Sequence, residues 1–599
     1  RWTEWTAVGV VLGLAALTKE GTLGLFPLAF GTAVVAAWQR LGRDKRQPDP
    51  LSNPLPKGEG TSLLPEGEGA ATPVPASRYS PLTGRGLWSV VRGLLTALAL
   101  IAAPALAIAG WWYYRNVVLY GDWLGWNAFI AVLGQRATAA SLVQLWGERR
   151  GFMMSFWGLF GGVNVPMAGW VYALLNSFLI ISVIGFAIYA ARLLAAERRL
   201  WRGAADSWFW RLLRAVERNF GLIVVLLFAA AVVYGLIQWA TTTWSSQGRL
   251  VFTAISALCV LLALGWHALV DLRGLGRPLR SALVAASAVF LFASAAAVPW
   301  LAIRPAYQPP AYSGPLSNKL DITFGDNMRL TGYEVQSAEL QPGDSVRVRL
   351  EWEALQPMDR DWSVFVHLND PVLGRPIAQR DMYPGQGLLA TRLLRPGERL
   401  VNDYALTVPP AAVAPAELEL VVGLYDFKTG ERLRTTDDGP QTTDARTLAT
   451  IPLQPREGEY PNSTSLFFEH GLELVGFSVE PRRVAAGGGL EAVTYWRPSE
   501  PLPDDYTFFA QMVGPDTTRY AAIDAPPPQP TSGWTPGEGY EVRLPLTVAP
   551  ATPPDVYPLI VGLYTRTAAG GFDRLQQVTT DGRLTDDFLT LTQVRVDPR

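Results

Sequence analysis

The run over residues 87–110 (LWSVVRGLLTALALIAAPALAIAG) constrains this chain more than any other feature. More than about 20 mainly apolar residues are enough to cross the hydrocarbon core of a bilayer as a helix. The run leads into Trp111-Trp112-Tyr113-Tyr114-Arg115-Asn116 and then Leu119-Tyr120-Gly121-Asp122. Trp and Tyr belong at the membrane–water boundary, with the ring beside lipid and the polar tip in water. The stretch therefore reads as a span that delivers an aromatic, arginine-bearing segment to one membrane face.

The whole chain has 599 residues and a mean hydropathy of +0.15, an average that hides two halves. Residues 1–304 are apolar with short charged loops, and the chain beyond about 312 is polar. The expected fold class is an α-helical polytopic membrane bundle followed by two all-β antiparallel sandwich domains.

In the first half, runs 5–17 and 23–38 flank the polar turn Thr18-Lys19-Glu20-Gly21. Two spans joined by a tight turn fit this, as does one long helix with a buried Lys–Glu pair. Residues 47–84 are rich in Pro, Gly, Ser and Glu, cannot bury a core, and read as a disordered loop. The less apolar, aromatic stretch 116–169 reads as a loop on the membrane surface. Further spans are expected near 170–194, 220–239, 250–272 and 281–303, about seven in all. Basic residues cluster at 40–46, 198–218 and 273–280, in alternate loops, and such loops stay in the cytoplasm. Arg136, Arg149 and Arg150 run against this scheme. It puts the 116–169 loop and the whole second half outside the cytoplasm, in a multi-pass membrane protein.

Net charge is −1, so nothing argues for nucleic acid as a partner. The one cysteine, Cys259, and three dispersed histidines, His267, His367 and His470, exclude an internal disulfide and local zinc motifs. The chain starts at Arg1 and runs straight into an apolar helix without signal-peptide architecture, so the expectation is a fragment lacking an N-terminal part.

The second half is an internal repeat of two domains, 312–455 and 460–599. Phe324, Leu330, Gly332, Trp352 and Phe365 align with Phe468, Leu474, Gly476, Trp496 and Phe509. Val422-Gly423-Leu424-Tyr425 aligns with Val561-Gly562-Leu563-Tyr564, and Arg432-Leu433 with Arg574-Leu575. A period near 140 residues marks tandem domains, since solenoid units repeat every 20–50 or so. The alternation in Ser345-Val-Arg-Val-Arg-Leu-Glu-Trp352 is that of a half-buried strand. Matched Trp352/Trp496 and Tyr425/Tyr564 are expected in the inter-sheet cores. His367 faces Gln511 in the alignment, against a shared histidine chemistry.

Candidate site residues follow from position. Arg249, after Gln247-Gly248 at the mouth of a span, suits a lipid-linked phosphate through paired charge-assisted hydrogen bonds, or serves as an interfacial anchor. Lys19 and Glu20 are ionisable groups near membrane depth. Arg115 binds phosphate or snorkels to headgroups. Asp122 and Glu148 are outer-face carboxylates able to act as base or metal ligand, although Tyr-Gly-Asp also reads as a turn.

At these residues the chain resembles bacterial integral-membrane glycosyltransferases of the GT-C superfamily, the dolichyl-phosphate-mannose and aminoarabinose transferase type (glycosyltransferase family 39-like). Leu17-Thr18-Lys19 is similar to their Leu-Thr-Lys turn. Trp112-Tyr113-Tyr114-Arg115-Asn116 with Tyr120-Gly121-Asp122 is similar to a segment of the large bacterial branch. Gln247-Gly248-Arg249-Leu250-Val251-Phe252 is similar to their Gly-Arg-Tyr-Leu-Phe-Pro segment, with Leu250 and Thr253 in place of Tyr and Pro. Ser155-Phe156-Trp157-Gly158 resembles a segment of an uncharacterised multispan family, and the repeat resembles sandwich modules appended to such transferases. The resemblance implies transfer of a sugar from a polyprenyl-phosphate donor to an acceptor glycan, lipid or protein at the outer face. It implies Lys19 and Arg249 on the donor phosphate, and Arg115 joins them from the residue reading; the cofactor is left open, with a divalent cation as the candidate. It puts the catalytic carboxylate in a first outer loop upstream of Arg1, so this chain alone is expected to be inert. The competing expectation is a non-enzymatic envelope protein whose helical anchor presents two sandwich binding modules.

Overall fold

The computed structural model describes residues 2–18, 25–44, 84–202, 207–271, 276–337, 339–436, 443–567 and 570–598. Lys19, Glu20 and the 47–84 segment, apart from Gly84, lie outside the described residues. The chain forms two compact units, Arg1–Leu133 with Ser141–Ala296, and Gly134–Ala140 with Ala297–Arg599.

The first unit is helical. Helices α1 (Trp2–Thr18) and α2 (Leu25–Asp44) are separate, which decides between the two readings of the N-terminal runs. Helix α3 (Gly84–Tyr120) carries the aromatic segment as its own last turns and tolerates Pro104 inside. Gly9 and Gly13 let α1 approach it closely: a Cβ on Gly13 would lie 2.9 Å from Ala105 Cα, and one on Gly9 would strike the Ile101 carbonyl. Lipid tails are as apolar as the helices, so such small residues spaced four apart let packing rather than hydrophobicity join them.

The 116–169 stretch folds into α4 (Trp126–Leu133), α5 (Leu142–Gly147), α6 (Arg149–Trp157) and a hairpin of β1 (Leu159–Phe160) and β2 (Val165–Pro166). Helices α7 (Gly169–Arg202) and α8 (Trp208–Thr242) follow. A 3₁₀ segment, Gly248–Ala254, then leads into α9 (Ile255–Val270), and α10 (Arg277–Val298) closes the unit. Helix α7 meets α9 at Gly185 and Gly265, where neither glycine leaves room for a Cβ. Among the described residues, five stretches are long and apolar enough to cross a membrane: Val91–Tyr120, Gly169–Trp201, Trp208–Thr242, Gly248–Val270 and Arg277–Ala306. Of the seven expected, the first two are shorter apolar helices, Trp2–Leu17 and Leu25–Ala36. This is a membrane protein.

The second unit is β-structure in two copies. In the first, strands β3 (Asn318–Phe324), β4 (Met328–Val335), β5 (Ser345–Ala354) and β8 (Arg399–Thr407) form one sheet. Strands β6 (Trp362–Asp370), β7 (Arg375–Met382), β9 (Ala416–Asp426) and β10 (Arg446–Leu453) form the other, in the order β10-β9-β6-β7. The second copy repeats this. Strands β11 (Leu466–Phe468), β12 (Leu472–Glu480), β14 (Gly489–Pro498) and β17 (Tyr540–Thr547) match the first sheet. Strands β15 (Thr507–Val513), β16 (Arg519–Ala525), β18 (Asp555–Arg566) and β21 (Leu589–Asp597) match the second. Short β13 (Arg483–Ala485), β19 (Phe572–Arg574) and β20 (Gln577–Val578) are added at edges. Even a register shift recurs, at Leu330/Gly332 and at Leu474/Gly476. The segment Gly134–Ala140 joins this unit through the Leu584 amide, which donates to the Gln135 carbonyl at 2.7 Å.

Trp352 and Trp496 are fully buried between the sheets, as expected. Tyr425 and Tyr564 lie outside the inter-sheet cores, which corrects that expectation, although Tyr564 is itself buried. Leu420, Val422 and Leu424 of β9 enter the core, so alternation turns Tyr425 to the outer face. Leu559, Val561 and Leu563 do the same for Tyr564. There each tyrosine lies beside a buried phenylalanine, Phe365 at 6.2 Å and Phe509 at 6.4 Å. Arg432 and Arg574 cover those rings at 4.6 and 4.8 Å. A covered outer face explains why β9 reads as a continuous apolar run.

Candidate functional site

Two of the motif segments, one around Ser155 and one around Gly248, meet in the first unit. The Gly248 amide donates to Ser155 Oγ at 2.8 Å, and that hydroxyl donates to the Gly151 and Phe152 carbonyls at 2.9 and 3.0 Å. Gly248 is buried, and a Cβ there would lie 2.6 Å from Phe156 Cβ and strike the Phe152 carbonyl. Phe156 and Phe252 meet edge to face at 5.9 Å. The start of the 3₁₀ segment is therefore clamped on α6, and only glycine fits the clamp.

The other side of α6 is equally tied down. Trp157 Nε1 donates to Asn176 Oδ1 of α7 at 2.8 Å. The Tyr172 hydroxyl donates to the Gly158 carbonyl at 2.6 Å and accepts the Met167 amide at 2.9 Å. Nearby, Trp126 and Phe129 of α4 pack on Trp239 at the end of α8, at 5.7 and 6.0 Å. Aromatic packing and charge-neutral hydrogen bonds thus make a rigid frame where α7, α8 and α9 begin or end.

Arg249 follows the clamped glycine and is exposed. Glu148 stands at the α5–α6 junction, four residues or roughly 6 Å along the helix from Phe152. The structure thus puts Arg249 and Glu148 on two elements packed against each other. Ser155 was legible as a motif residue, but its role as the Gly248 acceptor was not: the partners are 93 positions apart.

Arg115 is exposed near the end of α3 and stacks on Trp112 of its own helix at 5.1 Å. Its neighbour Asn116 is buried and donates to the Trp123 carbonyl at 3.2 Å. Tyr113 donates to the Ala16 carbonyl at 3.0 Å, joining this segment to the end of α1. Asp122 takes the turn reading. Its Oδ2 accepts the Trp126 amide at 2.6 Å and its Oδ1 the Leu124 amide at 3.2 Å, closing the turn into α4. The Leu124 amide, with Trp126 and Asn127, holds this carboxyl below its ordinary value against a smaller effect of burial. A carboxylate so held is a weak proton acceptor. Among the described residues, Arg115 and Asp122 bond neither to each other nor to Glu148 or Arg249.

Among the described residues, no three His, Cys, Asp or Glu side chains converge as a metal site, so a divalent cation has no dedicated protein cage there. On the sandwiches, His367 pairs with Asp381 at 3.1 Å on the outer face of β6, where the second copy has Gln511. No protein-family model and no curated relative matches this chain.

Proposed function

We propose that this chain belongs to a membrane glycosyltransferase of the GT-C type, which takes a sugar from a polyprenyl-phosphate donor at the outer face of a bacterial cytoplasmic membrane. The observation that supports this reading is the clamp on Gly248. It fixes the backbone that presents Arg249 at the start of a membrane-crossing stretch, where a lipid-linked phosphate lies. A guanidinium offers a phosphate two parallel donors, and the fixed backbone beneath it limits the entropy lost on binding. In this proposal Arg249 holds the donor phosphate, and Lys19 and Arg115 add charge at the same membrane face. The tandem sandwiches stand on that face as well. Glu148 remains the candidate carboxylate of this chain, because both oxygens of Asp122 already serve the α3–α4 turn.

The test is binding of a polyprenyl phosphate to the full chain in nanodiscs, read by its Kd. Arg249→Ala is expected to weaken binding at least tenfold, and Arg249→Lys by less. An unchanged Kd in Arg249→Ala removes the reading. A second reading, an anchor that presents two binding modules, is favoured by Arg115 stacking on an exposed Trp112, as an interfacial anchor does. It predicts no saturable binding of polyprenyl phosphate at all.

A further inference from the structure

The first sandwich shares a compact unit with the end of a membrane-crossing stretch. The stretch Arg277–Ala306 ends in the second unit, which includes Ala297–Arg599. Its last turns carry the marks of an interface: Arg304 stacks on the exposed Trp300 at 5.6 Å, and Tyr307 is exposed. Pro309 follows Ala306 by three residues, at most about 11 Å of chain. Headgroups add roughly 5–8 Å to each side of the hydrocarbon core, so Pro309 lies at that layer or just above it.

The loop between β7 and β8 packs on this point. A Cβ on Gly385 would lie 3.0 Å from Pro309 Cβ, and Gly385 has a φ of +64°, which glycine adopts freely. The Gly385 amide donates to Oδ1 of the buried Asn402 on β8 at 2.8 Å, and the Leu389 amide to the Pro384 carbonyl at 3.0 Å. A 3₁₀ turn, Thr391–Leu393, follows. It is anchored by the Thr391 hydroxyl, which accepts the Trp362 amide at 2.8 Å, and by the buried Leu394. This fixed loop exposes Leu388, Arg392, Leu393 and Arg395, with Leu393 68% exposed. Arg392 reaches Asp361 at 3.5 Å, and the Arg395 guanidinium makes no ion pair or hydrogen bond among the described residues.

The second sandwich supplies the comparison. Its Thr531 hydroxyl accepts the Tyr506 amide at 2.8 Å, Trp534 is buried as Leu394 is, and Pro-Gly-Glu follows one residue later in both copies. The turn and its anchors are the same, yet Ser532, Gly533 and Thr535 stand in the places of Arg392, Leu393 and Arg395. The turn itself therefore requires neither the exposed leucine nor the arginines. They occur in the copy that is joined to the span.

We propose that the β7–β8 loop of the first sandwich docks on the lipid headgroup layer, with Leu388 and Leu393 entering the interface and Arg392 and Arg395 on lipid phosphates. Apolar burial and attraction to anionic lipid add in such a contact. Two leucines bind a bilayer weakly, but the span beside them keeps the local concentration of lipid high, so a weak contact suffices to orient the sandwich. The assignment rests on the membrane-crossing stretch and is independent of the donor-phosphate reading.

The test uses the full chain in nanodiscs of phosphatidylcholine and phosphatidylglycerol, with the one cysteine removed by Cys259→Ala. An NBD fluorophore is attached at Leu388→Cys, at Leu393→Cys or, as control, at Gly533→Cys, where an added Cβ would meet only Gln529 Nε2, at 3.5 Å. A phosphatidylcholine with a nitroxide on its headgroup should at least halve the emission of the two loop labels and leave the control unchanged. Arg392→Gln combined with Arg395→Gln should lower the quenching of the Leu393→Cys label, most of all in discs with phosphatidylglycerol. Loop labels that are not quenched overturn the proposal, and a blue-shifted but unquenched label assigns the loop to a protein surface instead. Equal quenching of the control overturns it as well. Quenching indifferent to both arginines overturns the phosphate contacts.

Discussion

Trp352 and Trp496 fill one position in two cores, yet their indole N–H groups differ. Trp496 Nε1 donates to Thr494 Oγ1 at 2.8 Å. Two residues before Trp352 stands Leu350, and Trp352 Nε1 is buried without a partner among the described residues. An unmade buried hydrogen bond costs more than a bond gains, so the two copies should answer the same change differently. Trp496→Phe is expected to destabilise more than Trp352→Phe, by about 1 kcal/mol. Either Trp→Ala leaves a large cavity and should cost about 3–5 kcal/mol. Thermal unfolding of the full chain by circular dichroism measures both. Asp122 gives a pH prediction. Its carboxyl titrates lower in the folded chain than in the unfolded one. Its stabilisation of the α3–α4 turn is therefore complete above the unfolded value, about 3.9, and is lost as pH falls through the lower folded value. The Leu124 and Trp126 amides should exchange faster below that range, and in Asp122→Ala they should do so at neutral pH.

At the scale of elements, glycine decides how closely helices approach. Gly248→Ala puts a methyl group against Phe156 and the Phe152 carbonyl, and one of these is backbone that cannot swing away. The expected cost is about 1–3 kcal/mol, read as a lower melting temperature in detergent. Ser155→Ala should reproduce part of it, because the buried Gly248 amide then lacks its acceptor. Gly13→Leu in α1 should separate α1 from α3, and a disulfide trap between cysteines introduced at positions 12 and 101 would report it. The apolar runs behind these helices were legible because span length is set by bilayer thickness. The close contacts were not, because a glycine in an apolar run reads the same whether it faces lipid or another helix.

At the largest scale, the sandwiches of the second unit dock through buried charge. Arg482 Nη1 lies 2.6 Å from Asp370 Oδ2, with side chains 11% and 2% exposed. Arg595 Nη1 donates to the Leu373 carbonyl at 2.6 Å, and Arg375 pairs with Asp555 at 3.0 Å. Removing one member of a buried pair strands the other, at a cost of about 3–5 kcal/mol. Asp370→Ala is therefore expected to split the unfolding of the tandem into two calorimetric transitions. A single unshifted transition would show that the copies are held by other contacts. The sequence alone determined the division into apolar and polar halves, the duplication, and the strand-forming pattern of each copy. Hydropathy, period and alternation are local or self-similar properties that need no partner to be visible. Only the tertiary structure decided which face Tyr425 and Tyr564 take, that Asp122 is consumed by a turn, and that Gly248 is held by Ser155. Each of these depends on atoms brought together from distant positions, and a linear pattern carries no record of such distances.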